Sequence, residues 1–309
     1  MTTRYDWPKK TAENKNIHLE DMLNAGADAF EAADIYFGHG TDNPWDEAVY
    51  LALHVLKLPM SVDQSALSLM LDDLQVEEMI SLFERRIDER IPAPYLTGKA
   101  YFAGLEFSVN TDVLVPRSPL GELIQQQFSP WLLGSPKTIL DLCTGSGCIG
   151  IAAAKAFPES NVDLSDISRA ALVVAEHNIL AHDLLDRVHC VEGDMFSGVK
   201  GKEYDLILCN PPYVDLEDLA NMPAEFHAEP EIALGSGDDG LDFCRRFLRE
   251  APSYLSSTGC IIVEVGNSGE ALEKAFPTVP FTWIEFENGG HGVFVMTARE
   301  LFEYGEAFE

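Results

Sequence analysis

The sequence Asp141-Leu142-Cys143-Thr144-Gly145-Ser146-Gly147-Cys148-Ile149-Gly150 decides the fold of the larger part of this chain. Its first two residues end the short apolar stretch Thr138–Leu142, and it leads into Ile151–Phe157, which has the composition of a helix. Its glycines satisfy the pattern G-x-G-x-x-G, which lets the backbone turn sharply and lets a ligand approach the N-terminus of the following helix. This order predicts the first unit of a doubly wound α/β sheet with a cofactor pocket.

Short apolar segments alternate with helical stretches from Lys137 onward. The segments predicted as strands are Thr138–Leu142, Asn161–Leu164, Val188–Val191, Leu206–Cys209, Cys260–Val265, Phe281–Phe286 and Val293–Met296. Helical stretches separate the first five, which predicts a mostly parallel sheet covered on both faces. Only Glu287–Gly292 lies between the last two, so we expect a hairpin there and one antiparallel strand.

The first hundred residues have a different pattern of apolar residues. From Asn16 to Arg90, apolar residues recur at helical spacing between charged faces, which predicts a bundle of four or five helices. Tyr101–Val109 has large apolar residues around Gly104, as a short β-hairpin does. We therefore predict a helical domain over 1–98, a β-hairpin linker over 99–118 and an α/β domain over 119–309.

The composition restricts the classes of function. Lys and Arg number 21 against 51 Asp and Glu, which gives a formal net charge of −30. A surface this acidic repels phosphate groups and anionic lipid, so a stand-alone nucleic-acid or membrane binder is not expected. The six cysteines form no C-x-x-C pair and lack histidines at zinc-ligand spacing, which predicts buried thiols, no metal site and a cytoplasmic location. The opening Met1–Asp6 lacks the features of a signal peptide.

Two cofactor classes fit the glycine loop, because NAD-dependent and S-adenosylmethionine-dependent enzymes share this geometry. Asp166, at the end of the next strand, is placed to accept hydrogen bonds from ribose hydroxyls in either class. Asp141 favours S-adenosylmethionine, because its carboxylate can face the cationic amino-acid end of that ligand. Asp194 and Met195, after the third strand, can bind the amino group and the ring of adenine. Asp194 is equally interpretable as a helix N-cap.

The turn Asn210-Pro211-Pro212-Tyr213 follows the fourth strand, at the edge where ligands of parallel sheets bind. Its prolines fix the backbone, so a purely structural turn is the alternative to a functional one. The Asn210 side-chain oxygen and the Pro211 carbonyl can accept the two N–H groups of an amide or aromatic amine, and Tyr213 can stack on its plane. Such a turn aims a delocalised lone pair at a methyl group by positioning, without a strong base.

Beyond these motifs, the sequence resembles the HemK-like protein-(glutamine-N5) methyltransferases over nearly its whole length. The segments that carry the resemblance are Tyr95–Gly98, Tyr101–Phe107, Val115–Pro119, Asp141–Gly147, Asn210–Tyr213, His227–Pro230, Gly240-Leu241 and Glu264–Gly266. Release-factor methyltransferases of that family usually have Pro-Arg-x-Glu-Thr where this chain has Pro116-Arg117-Ser118-Pro119. This variant, with Asp215–Asp218 and Phe286–Gly290, resembles the branch that methylates a glutamine of large-subunit ribosomal protein L-three.

The resemblance implies a seven-stranded Rossmann-like class I methyltransferase sheet, with an antiparallel last strand, after a helical substrate-recognition domain. It also implies that S-adenosylmethionine contacts one set of residues. That set is Asp141, Thr144, Gly145 and Gly147 of the glycine loop, with Asp166, Met195 and Asn210. Substrate contacts are expected from Asn210–Tyr213 and from Arg117, which can clamp a substrate carbonyl or bridge the domains. A plain surface salt bridge is the alternative for Arg117.

The acidic charge fits the predicted substrate independently. Ribosomal proteins are basic, so an acidic enzyme would capture one that is free or being assembled, without stable binding to nucleic acid. Four alternatives remain open at this point. They are a release-factor glutamine methyltransferase, an N6-adenine nucleic-acid methyltransferase, an NAD-dependent oxidoreductase and a non-catalytic S-adenosylmethionine-binding module.

Overall fold

The computed structural model of the chain describes residues 5–9, 16–132 and 134–309. The chain divides into a helical unit of residues 1–99 and 223–228 and an α/β unit of residues 100–222 and 229–309. Residues 1–4, most of the segment predicted to lack a signal peptide, lie outside the described ranges. No helix within those ranges has the length and apolar character needed to cross a membrane.

The helical unit forms where the apolar periodicity predicts a bundle. Its α-helices are α1 (Leu19–Ala32), α2 (Pro44–Leu56), α3 (Asp73–Asp88) and α4 (Ala93–Thr97), and Gln64–Ser68 is a 3₁₀ helix. Asn43 and Asp72 cap the N-termini of α2 and α3 through their side-chain oxygens. Phe83 packs on Gly26, where a Cβ would lie 2.7 Å from the ring. The bundle is therefore confirmed, with one of its helical segments reduced to a 3₁₀ turn.

A buried ion cluster lies inside the helical unit. The Arg86 side chain is 1% exposed, and its Nε donates to Glu47 at 2.6 Å. It also donates to the Tyr36 carbonyl at 2.9 Å and lies 3.4 Å from the Glu225 carboxylate. Arg90 contacts the same Glu225 at 3.3 Å. These pairs fix residues 223–228 to the helices.

Replacing Arg86 by methionine is expected to lower the free energy of unfolding by about 3–5 kcal/mol, because it leaves the buried Glu47 carboxylate without its cation and removes one of the two cations that pair with Glu225. Arg85 is the matched control. It is 46% exposed and, among the described residues, pairs only with Glu89 one turn away, so Arg85→Met is expected to cost less than about 0.5 kcal/mol. Urea unfolding followed by circular dichroism measures both. Equal losses for the two variants would contradict the assigned role of the cluster.

The α/β unit contains a hairpin, a seven-stranded sheet and the helices between its strands. The hairpin strands are β1 (Lys99–Phe102) and β2 (Leu105–Ser108), and α5 (Leu120–Gln125) follows. Next come β3 (Thr138–Leu142), α6 (Cys148–Ala156), β4 (Asn161–Asp166), α7 (Arg169–Ala181), β5 (Val188–Glu192), β6 (Tyr204–Cys209) and α8 (Leu216–Asn221). The last elements are α9 (Asp242–Glu250), β7 (Leu255–Glu264), α10 (Gly269–Ala275), β8 (Thr282–Trp283), β9 (Val293–Thr297) and α11 (Ala298–Glu303).

The sheet has the order β5-β4-β3-β6-β7-β9-β8. The first five of these strands are parallel, and β9 runs antiparallel to both β7 and β8. Separate apolar clusters cover the two faces, one containing α6 residues such as Ile151 and the other α9 residues such as Phe247. The predicted α/β class, the seven strands and the single antiparallel strand are confirmed.

The sixth predicted strand is much shorter than the sequence indicates. Phe281–Phe286 is apolar and β-branched enough to form a strand, but only Thr282–Trp283 pairs with β9 as one. The following backbone N–H groups of Glu287 and Asn288 each donate to the Glu122 carboxylate at 3.0 Å. The Ile284 N–H still donates to the Val293 carbonyl at 2.9 Å, so Glu122 binds the predicted connection after the strand and not the strand itself.

All six cysteines lie in the described part of the chain, and none of them forms a disulfide there. Four are buried, as predicted. The prediction is wrong for Cys143 and Cys190, which are partly exposed. Cys143 is accessible because it lies in the glycine loop and lines the cavity described next.

Candidate active site

A cavity of about 210 Å³ lies within the α/β unit, at the carboxyl ends of its central strands. The sheet order reverses between β3 and β6, because the chain continues from β3 to β4 on one side and from β6 to β7 on the other. Loops leave such a point in opposite directions, which opens a crevice for a ligand. The strand order therefore places the glycine loop and the Asn-Pro-Pro-Tyr turn on the walls of the same cavity.

The structure brings together most of the site residues predicted from the sequence. Those that line the cavity are Arg117, Thr144, Gly145, Asp166, Asp194, Met195, Asn210 and Pro212. Four others are chain neighbours of lining residues, without being part of the lining among the described residues: Asp141, Gly147, Pro211 and Tyr213. The lining residues face the ligand space, and their chain neighbours shape the loop and the turn on which the lining residues lie.

Asp141 shapes the glycine loop. Its Oδ2 accepts hydrogen bonds from the Gly150 backbone N–H at 2.9 Å and from Thr144 Oγ1 at 2.5 Å. The side chain is fully buried, and this burial raises the pKa of the carboxyl to about 7. Its Oδ1 has no hydrogen-bond partner among the described residues. An orphaned buried carboxylate oxygen is satisfied by a cationic ligand or a further donor.

The glycines of the loop are required for two different reasons. Gly145 and Gly147 have φ values of +54° and +81°, which L-residues with a Cβ rarely adopt. At Gly150 the obstacle is space, because a Cβ would lie 2.2 Å from the Leu164 side chain. A Cβ at Gly145 would meet no protein atom within 4 Å. The open side of Gly145 leaves space for a ligand.

Asp166 ends β4 and faces the loop. Its Oδ2 accepts from the Gly145 N–H at 2.9 Å and its Oδ1 from the Ser168 N–H at 2.8 Å. Burial is the main influence on this carboxyl and raises its pKa above the ordinary value. The adjacent Ser165 Oγ is buried, lines the cavity and has no partner among the described residues. Open space, an acidic group and an unsatisfied hydroxyl fit a ligand that carries ribose hydroxyls.

Asp194 has a partner that the sequence analysis did not assign to it. Its carboxylate forms an ion pair with Arg246 of α9 at 3.0 Å, and both side chains are about half exposed. The N-cap interpretation is wrong, because the cap of the nearby 3₁₀ helix Ser197–Val199 is Phe196. Met195 is 3% exposed, has φ +53° and lines the cavity. A ligand amino group would therefore share Asp194 with Arg246.

The Asn-Pro-Pro-Tyr turn is held rigidly where β6 ends. Asn210 and Pro212 line the cavity, and Pro211 is buried. The Tyr213 N–H donates to the Leu234 carbonyl at 3.1 Å, and its hydroxyl donates to the Glu264 carboxylate at 3.0 Å. Burial, reinforced by the Glu264 charge, raises the pKa of Tyr213 well above its ordinary value, so the phenol stays protonated. The turn presents an amide side chain to the cavity on a backbone that cannot relax.

Arg117 lines the cavity and is fixed by Glu229. Two parallel hydrogen bonds of 2.6 Å join the guanidinium to the carboxylate, and Glu229 also accepts from the Val115 N–H at 3.0 Å. The Glu229 side chain is fully buried and that of Arg117 is 26% exposed. The pair is therefore not the surface salt bridge of the alternative interpretation. It fixes the cavity-lining loop 113–118 in place.

Glu264 and Ser118 lie in segments that carry the resemblance, but neither was predicted as a site residue. Glu264 ends β7, is 5% exposed, and accepts from Ser118 Oγ at 2.6 Å as well as from Tyr213. The available signal was a carboxylate at the end of the apolar run Cys260–Val265, since a charge buried there needs partners. No group of three or more potential metal ligands is found in the described part of the chain.

The chain is similar to known methyltransferases. Residues 123–237 match the family model of the methyltransferase small domain. The chain is 44% identical to the ribosomal protein uL3 glutamine methyltransferase of Francisella tularensis subsp. tularensis, over 99% of this chain and 98% of that one. It is 46% identical to the protein of the same name from Xanthomonas campestris pv. campestris, over 92% of each. A solved methyltransferase structure from Pyrococcus furiosus is 19% identical, with coverages of 63% and 89% and a TM-score of 0.47.

Proposed function

We propose that this chain, which belongs to the ribosomal protein uL3 glutamine methyltransferase family, methylates the side-chain amide nitrogen (N5) of a glutamine in large-subunit ribosomal protein L-three (uL3). The chain is a methyltransferase, and its cofactor is S-adenosylmethionine, which supplies an electrophilic methyl group when bound. The observation that supports the substrate chemistry is the cavity wall that carries Asn210 and Pro212 beside Gly145 and Asp166.

The turn supplies the means to use an amide as a nucleophile. The nitrogen lone pair of a glutamine side chain is delocalised into its carbonyl, so the nitrogen attacks poorly. Asn210 Oδ1 and the Pro211 carbonyl accept its two N–H groups, which orients the nitrogen and stabilises the positive charge that develops on it. The Tyr213 ring packs against Gly266 beside the lining residue Pro212, and we assign to it the stacking on the amide plane. The nitrogen loses its proton once it has become acidic, so no strong base is required.

The residues proposed to hold the cofactor form two groups. Asp166 binds the ribose, and Met195 packs on the adenine ring, whose amino group competes with Arg246 for Asp194. Thr144, Gly145 and Gly147 form the loop at the methionine end. Asp141 keeps that loop in shape and offers its orphaned Oδ1 to positive charge.

The charge of −30 supports a basic protein as the partner. A free ribosomal protein, or one in early assembly, is attracted to this surface, whereas assembled rRNA is repelled, and no stable nucleic-acid complex is proposed. We assign the recognition of that partner to the helical unit, with the linker and the catalytic domain at 99–118 and 119–309. Six cysteines without a disulfide support a cytoplasmic location.

A labelled-methyl transfer assay tests the function directly. The purified chain is offered free uL3, a release factor, rRNA and duplex DNA, and mass spectrometry maps the product. We expect label on one glutamine of uL3 and on none of the other acceptors. Label on the release factor alone would overturn the assigned substrate, and label on an adenine of nucleic acid would overturn both the substrate and the charge argument.

A further inference from the structure

Residues 264–268 surround Tyr213. Glu264 accepts from its hydroxyl, and Ser268 Oγ donates to its carbonyl at 2.7 Å. Gly266, with φ +47°, contacts the ring so closely that a Cβ there would lie 2.5 Å from Tyr213 Cε2. The aromatic residue of the catalytic turn is thus fixed at its hydroxyl, its ring and its backbone by one short segment after β7.

The same carboxylate also holds the opposite side of the site. Ser118 lines the cavity and donates its only hydroxyl proton to Glu264 Oε2 at 2.6 Å, while its oxygen accepts from the Leu120 N–H at 3.1 Å. Tyr213 donates to the other oxygen, Oε1. Both donors are used only when both Glu264 oxygens accept, which is the bonding pattern of the ionised carboxylate.

We infer that Glu264 is a positioning residue of the methyl transfer, whose ionised carboxylate sets the spacing between the catalytic turn and loop 113–118 by accepting from Tyr213 and Ser118 together. The inference rests on the proposed function for its kinetic consequence. Protonation converts one Glu264 oxygen into a hydroxyl, which is a donor and a weaker acceptor, so the hydrogen bond on that side weakens or reverses and the coupling between the turn and loop 113–118 is reduced.

The surroundings of Glu264 bring the pKa of its carboxyl into the pH range in which the enzyme can be assayed. Burial raises the pKa of this carboxyl to about 7, against the hydrogen bonds from Ser118 and Tyr213 and the charge of Arg117. The groups that face it are these three and, through Arg117, Glu229. Activity is therefore expected to rise with pH through about 7. The free energy of unfolding is expected to change in the opposite direction. A carboxyl whose pKa is higher in the folded state than in the unfolded state stabilises the fold while it is protonated, and this stabilisation is lost as the pH rises from the ordinary pKa of a glutamate to about 7.

The decisive variant is Glu264→Gln, which resembles the protonated state and cannot ionise. Wild-type kcat/KM for the protein acceptor is expected to fall about tenfold per pH unit below the pKa, whereas the variant is expected to lack this pH dependence and to be at least about tenfold slower in kcat at pH 8.5. Its dissociation constant for S-adenosylmethionine is expected to stay within about threefold. Asp141 has a pKa in the same range, so the wild-type profile alone does not identify the group.

A matched control and two partial variants complete the test. Glu273→Gln removes a carboxylate that accepts from the Trp283 indole outside the cavity, and it is expected to keep the wild-type profile. Ser118→Ala and Tyr213→Phe each remove one donor to Glu264. When either is combined with Glu264→Gln, the loss of kcat is expected to be little more than that of the more damaging single variant, because both changes remove the same hydrogen bond. Losses of kcat that add up in the double variants would overturn the inference, and so would a Glu264→Gln variant that keeps the wild-type pH profile of kcat/KM.

A readout without an acceptor separates this inference from the proposed function. In protein labelled at tyrosine Cζ, the nuclear magnetic resonance signal that disappears in Tyr213→Phe is expected to shift with an inflection near pH 7. The inflection is expected to be absent in Glu264→Gln. An unchanged Tyr213 signal between pH 6 and 8.5 would overturn the link even if uL3 is methylated. The expected inflection without methylation of uL3 would overturn only the substrate.

Discussion

Replacing Asn210 by alanine is expected to lower kcat for methyl transfer by about 10²–10³-fold, the usual cost of losing one preorganised polar group at a developing charge. Asn210 lines the cavity at the end of β6, and in the proposed mechanism its side-chain oxygen is the acceptor that orients the nucleophilic nitrogen. The affinity for S-adenosylmethionine is expected to fall by no more than about tenfold, the worth of one hydrogen bond. Single-turnover kinetics and isothermal calorimetry measure the two quantities separately.

Asn221→Ala is the matched control for this variant. Asn221 is an exposed amide at the end of α8, and within the described part of the chain it donates only to the Glu217 carbonyl of its own helix. Its loss is expected to leave kcat within about twofold. An Asn210→Ala variant with wild-type kcat would contradict the assigned chemistry. A variant that loses cofactor binding to the same extent as turnover would instead make Asn210 a cofactor residue only.

The sequence predicts the location of the site because parallel strands end at one edge of a sheet. The glycine loop follows β3 and the turn follows β6, and these strands are neighbours in register, with Leu142 opposite Cys209. Local pattern and chain order are enough to bring Gly145 and Asn210 to one cavity. The seven strands and the antiparallel β9 follow from the same kind of evidence, the length of the connections.

Side-chain pairs between segments that are far apart in the chain could not be predicted from the sequence. Glu264 bonds residues 51 and 146 positions away, and Arg246 reaches Asp194 across 52 positions. No local periodicity specifies such pairs. The chain has 51 acidic residues, and only the folded structure determines which of them lies next to a given arginine, serine or tyrosine. The same kind of long-range pair fixes the connection after β8, where Glu122 accepts from the Glu287 and Asn288 N–H groups across 165 and 166 positions.

Gly145→Ala is expected to weaken binding of S-adenosylmethionine about 10- to 100-fold. The new methyl group would stand in the open side of the loop, where it meets no protein atom, and crowding of that kind costs about 1–3 kcal/mol. The φ of +54° adds strain of about 1–2 kcal/mol to the folded protein. Calorimetric titration with the cofactor measures the first effect, and thermal unfolding without it measures the second.

Gly201→Ala separates the two effects. Gly201 has φ +79° and equally open surroundings, so alanine there carries the same backbone strain, but it lies outside the lining of the cavity described above. Both variants are therefore expected to lose similar stability, and only Gly145→Ala is expected to lose affinity. Wild-type affinity in both variants would show that the open side of Gly145 is not where the cofactor binds. Equal losses of affinity would assign the effect to strain in the backbone, because strain is the property that the two positions share.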